Sequence, residues 1–122
     1  MTVVLAIGFS SVALANSSGK VELHHGYMTG NSYRDMPASG QQGYVVGVID
    51  GMFMAPVFGA KLGVKSWLGQ CIESGMRSDQ LKAIIDKYLA EHPEIWNEDM
   101  AGITYGALLP VCRARGFGPS AN

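Results

Sequence analysis

The sequence predicts an all-α fold, a small domain of four to five helices closed by one disulfide. Three observations point there. Residues 79–91 place Leu81, Ile84, Ile85, Tyr88 and Leu89 at i, i+3, i+4, i+7 and i+8, one apolar stripe of an amphipathic helix. No strand-like alternation of apolar and polar residues occurs anywhere in the chain. Cys71 and Cys112 are the only cysteines, and an even count in an exported chain makes a Cys71–Cys112 bridge the default.

Export is inferred from the first residues. Thr2 to Phe9 is an apolar run of signal-peptide length, and Ala13, Leu14 and Ala15 place small residues where signal peptidase needs them. Cleavage is expected before Asn16, so 1–15 reads as a signal peptide and the location as the periplasm. No Lys or Arg precedes Lys20, so the start is expected to be internal or truncated. The other reading of this run is a buried terminal strand or helix. It is too short to cross a bilayer. Residues 16–29 read as a flexible leader, 30–116 as one helical domain and 117–122 as a tail. A net charge of −1 with no basic block excludes a nucleic-acid footprint.

Within the domain, Asn31 is expected to cap a short helix ended by Pro37. Ser39 is expected to cap the next helix, from Gly40 to about Ala55. Its apolar residues, among them Tyr44, Val45, Val48, Ile49, Met52 and Phe53, surround the axis, the pattern of a central buried helix. Gly43, Gly47 and Gly51 recur every four residues and form one smooth ridge. Each costs up to about 1 kcal/mol against alanine, so a second backbone is expected to pack there, from this chain or from a second copy. Asp50 on such a helix must be paired, either as a buried polar anchor or as a polar group in a cleft. That carboxylate and Pro56 also argue against a membrane span over 43–60.

Ser66 is expected to cap a short helix carrying Trp67 and Cys71 on one face, with Trp67 near the disulfide. The 79–91 helix carries Lys82–Asp86 and Lys87–Glu91 at i,i+4 on its outer face, and Pro93 ends it. The last helix begins after Asn97. Pro110 is expected to kink or shorten it, and Gly116 to supply its left-handed cap.

No catalytic arrangement emerges. The chain has no phosphate-binding glycine loop, no metal quartet and no Ser-His-Asp set. His24 and His25 lack partners at ligand spacing, and Met52 and Met54 read as core filler rather than copper ligands. Asp50 has no second acid at matching spacing. The expectation is a protein-binding module without cofactor or metal, and not an enzyme.

An ordered set of residues makes the class more specific. The run from Tyr44 to Gly51 is followed by Trp67 and Cys71. Then come Ser78-Asp79-Gln80-Leu81, Tyr88-Leu89, His92-Pro93-Glu94, and Ala107-Leu108 before Cys112. In this order the chain resembles the Rap/Tai-type immunity proteins of type VI secretion systems. The resemblance implies a small, helical, periplasmic protein, dimeric in some members. It further implies an inhibitor that binds a secreted peptidoglycan amidase effector and blocks its cleft. Cys71 and Cys112 match the family's late cysteine pair. Gln42 stands where a second pair would contribute a cysteine, so that bridge is absent here.

Independently of the resemblance, the partner-binding residues are expected in loops flanking the disulfide, at Lys61, Lys65, Glu73 and Arg77. A charged loop beside a rigid clip loses little entropy on binding. The alternative function is a small periplasmic stress chaperone held by one disulfide. It requires a pH-driven loosening that a chain only 16% charged does not favour.

Overall fold

The computed structural model describes residues 28–59 and 66–118. The expected signal peptide, most of the leader, His24, His25, Lys61 and Lys65 lie outside these. The described residues form five helices: α1 (Gly30–Arg34), α2 (Ala38–Met54), α3 (Trp67–Glu73), α4 (Ser78–Glu91) and α5 (Met100–Ala114). Short 3-10 turns follow α2 (Ala55–Phe58) and α4 (Pro93–Ile95). The one β-type pairing among the described residues is an isolated bridge between Thr29 and Asp99.

α4 is the centre of the packing. Its predicted stripe buries Leu81, Ile85 and Leu89, with Ile84 and Tyr88 half-buried beside them. α2 packs on one side of it and α5 on the other. From α5 the core receives Met100, Ile103, Ala107 and Leu108, and from α2 Val45 and Ile49. Each fully buried aliphatic side chain contributes roughly 1.5–3 kcal/mol, so this cluster dominates the stability.

α3 is fixed differently. Seven residues are too few to hold a helix in water. Ser66 caps it, its hydroxyl accepting from the Gly69 N–H at 3.2 Å. Leu68, Cys71 and Ile72 are buried, and Cys71 is joined to Cys112 of α5, with Cα atoms 5.7 Å apart. Trp67 stacks edge-on against Tyr105 of α5, ring centroids 5.5 Å apart.

Several expectations are corrected. α2 is not the central helix. A helix on the outside of a small bundle buries one face only, and Val46 and Met54 are exposed on the other. Gly43, Gly47 and Gly51 lie on that outer face, and a Cβ at any of them would meet nothing within 4 Å. Among the described residues nothing packs against them, so they form no ridge there. Asp50 is exposed among them rather than a buried anchor. Its charge is solvated, so the burial that would demand a partner does not arise.

The caps also differ by a residue or two. Thr29, not Asn31, caps α1 through its side chain. Ser39 lies inside α2, which starts after Pro37 without a side-chain cap. Helix α5 runs through Pro110 to Ala114. The proline forgoes one backbone hydrogen bond, but Leu108 and Cys112 on either side are fully buried and Cys112 is covalently held.

Both chain ends of the domain are tighter than expected. The Met28 carbonyl accepts from Met100 N at 2.8 Å, so the leader joins the domain before Gly30. Gly116 takes the expected left-handed conformation, φ 88°. Phe117 donates to the Cys112 carbonyl at 2.8 Å and packs on the core.

Two outcomes follow. Gly47→Ala should raise stability by up to about 1 kcal/mol in urea denaturation, because the methyl meets no neighbour and the helix gains propensity. Reducing the disulfide closes no loop in the unfolded chain and should lower stability by about 4 kcal/mol on chain-entropy grounds. A shift of the urea midpoint between oxidised and reduced protein measures it.

Candidate partner-binding surface

The five-residue α1 is placed by what it touches. Gly30 N donates to the Glu98 carbonyl at 3.1 Å and Asn31 N to the Trp96 carbonyl at 2.7 Å. A Cβ at Gly30 would stand 3.0 Å from the Trp96 backbone, so glycine is what permits this approach. Trp96 is in turn anchored by its indole N–H, which donates to the Leu89 carbonyl near the end of α4 at 2.7 Å. The Arg34 guanidinium then lies flat over the Trp96 ring, 3.3 Å from its centroid.

Tyr33, the neighbour of Arg34, is fully buried. Its hydroxyl donates to Asp86 Oδ1 at 2.9 Å, while Lys82 pairs with Oδ2 of the same carboxylate. Burial, then the hydrogen bond to Asp86, pushes the Tyr33 phenol well above its ordinary range. Gln41 at the start of α2 donates to the Tyr33 carbonyl at 3.0 Å. Between these side chains lies an open depression of about 270 Å³, walled by Tyr33, Arg34, Gln41, Asp86 and Trp96.

A second concavity, about 310 Å³, runs between α4 and α5 and is lined by Ile84, Lys87, Tyr88, Glu91, Pro110 and Val111. A third surface is apolar. Val57 and Phe58, 71% and 84% exposed, project from the turn after α2 beside exposed Met54. Large apolar side chains this open to water are the informative exception on a surface.

The residues expected to face a partner are only partly brought together. Glu73 and Arg77 are exposed on either side of the α3–α4 turn. Arg77 is occupied locally, its guanidinium donating to Asp79 at 2.8 and 3.1 Å. Those hydrogen bonds hold the Asp79 carboxyl below its usual range. The turn itself is braced: Ser74 Oγ donates to the Cys71 carbonyl, and Arg115, just past the end of α5, donates to Ser74 Oγ at 3.0 Å. The sequence did not single out Arg34 or Trp96. Their meeting depends on α1 docking against the 96–98 segment, which no local pattern announces. Among the described residues no group of three His, Cys, Asp or Glu side chains converges, and no helix is long and apolar enough to cross a membrane.

A helical scaffold clipped by a buried disulfide, with preformed concavities and exposed apolar and aromatic groups, has the form of a protein-binding domain. The chain belongs to the family of Rap1a immunity proteins, whose family model matches residues 26–110. No curated protein and no solved structure matches it.

Tyr33→Phe should lower stability by roughly 1.5–3 kcal/mol at neutral pH, the range for a hydrogen bond to a charged group. Because the folded phenol titrates above the unfolded one, its stabilisation is complete below about pH 10 and lost as pH rises further. Thermal melts from pH 7 upward should therefore show a steeper alkaline decline in the wild type than in Tyr33→Phe.

Proposed function

We propose that this chain is a periplasmic immunity protein that binds a peptidoglycan amidase effector of a type VI secretion system and blocks its cleft. Membership of the Rap1a immunity family over 26–110 carries the proposal. The buried Cys71–Cys112 bridge supports an oxidising compartment, since such bridges persist outside the cytosol. The apolar run before Asn16 supports export. The surfaces open to a partner support inhibition by docking rather than by chemistry.

The effector-facing set includes Lys61, Lys65, Glu73 and the exposed apolar pair Val57 and Phe58, with Arg77 able to exchange Asp79 for a partner carboxylate. In a two-fold assembly, the outer face of α2 is where two copies would meet. Gly43, Gly47 and Gly51 there allow two backbones to approach closely.

The test uses the oxidised chain beginning at Asn16 as bait for periplasmic and secreted fractions, followed by an amidase assay. One stoichiometric partner is expected, with peptidoglycan amidase activity that falls in proportion to added immunity protein. Many weak clients appearing only at acidic pH would point to a chaperone instead. A stoichiometric partner without amidase activity would retain the immunity class and reject the effector chemistry. Phe58→Asp should weaken the complex roughly tenfold or more if the apolar pair sits at its centre.

A further inference from the structure

We infer that the Arg34–Trp96 platform is a socket for a carboxylate side chain, an Asp or Glu, presented by the partner protein. The inference rests on the immunity reading above, because it names the chemistry by which the effector is gripped.

Four observations carry it. Arg34 forms no ion pair among the described residues, although the acids Asp35 and Asp86 are near it in the chain or in the depression. Asp86 is already satisfied on both oxygens, by the Tyr33 hydroxyl and by Lys82, so it neither neutralises Arg34 nor repels an incoming anion strongly. The depression thus presents one uncompensated positive charge. Second, the guanidinium is held by its face. Stacking 3.3 Å above Trp96 leaves its N–H donors pointing outward from its edges, the geometry that takes a carboxylate through two parallel hydrogen bonds.

Third, the platform is rigid from below. Trp96 is tied through its indole N–H to Leu89 and through its carbonyl to Asn31, both at 2.7 Å. An arginine fixed in this way loses less freedom on binding than one on a free stem, which favours affinity. Fourth, Trp96 and Arg34 meet at one concave place, and Trp and Arg are among the residue types that carry most binding energy at protein interfaces.

The occupant is a side-chain carboxylate rather than a phosphate or a second copy of this chain. The depression offers one cation and no cluster of donors for a phosphate. In the two-fold assembly proposed above, a second copy meets the outer face of α2 and not this depression.

Two measurements test the socket. With the cognate amidase effector in hand, calorimetry on Arg34→Lys and Arg34→Gln should show affinity reduced roughly tenfold to a hundredfold, with melting temperatures near the wild type. Exchanging each surface acid of the effector for its amide should then identify one position whose effect vanishes against Arg34→Gln. Affinities within twofold of the wild type for both Arg34 variants would overturn the socket while leaving the immunity reading intact.

The second measurement needs no effector. Titration of the wild type with N-acetylglutamate amide should move the Arg34 Nε–H and Trp96 indole resonances saturably. The neutral N-acetylglutamine amide should not move them, nor should the acid in Arg34→Lys. No saturable shift up to the solubility limit, or an equal shift with the neutral analogue, overturns the inference even if no amidase is ever captured.

Discussion

Everything in this fold depends on burying one stripe of α4. Leu81, Ile85 and Leu89 supply a line of apolar side chains that α2 covers from one side and α5 from the other. No other helix contacts both of its neighbours so extensively. The flank of the same helix then organises the surface. Asp86 and Lys82, one turn apart and beside the buried stripe, fix Tyr33, and the carbonyl of Leu89 fixes Trp96. The core and the candidate binding surface are therefore two faces of one element, and disturbance of α4 reaches both.

Helix α3 shows the limit of that arrangement. It does not touch the central stripe over any length and packs chiefly on α5. The covalent link to Cys112 supplies what its short length cannot, and the Ser74 and Arg115 contacts close the turn that follows. A domain of about a hundred residues has a modest core, and a cross-link of this kind extends its reach to an element that hydrophobic burial alone would leave loosely held.

What the sequence revealed follows from which interactions are local. The α4 stripe, its i,i+4 ion pairs, the stop before Pro93, the Ser66 cap and the Gly116 cap are all set by residues within a turn of one another, and each stands as expected. The cysteine pairing followed from there being only two. Helix α2 misled because composition records how apolar a helix is and not how many neighbours it has. Its glycines and Asp50 were read for a crowded centre and occupy an open face. Pro110 does not shorten α5, which runs on to Ala114 because burial of Leu108 and Cys112 and a covalent anchor outweigh the local penalty. Arg34 over Trp96 was illegible: the two are far apart in the chain, and only the close approach at Gly30 brings them together.

The bridge between Cys71 and Cys112 also makes the segment between them a covalent ring that contains α4, the Trp96 anchor and most of α5. A protease that cuts the chain once inside this ring, for instance in the turn around Pro93, leaves two pieces that cannot separate. The helices remain tethered at the far end and can re-dock, so a single cut is a reversible loosening rather than a loss of the molecule. While the bridge stays oxidised, topology thus gives the protein a second line of persistence beside its folding free energy.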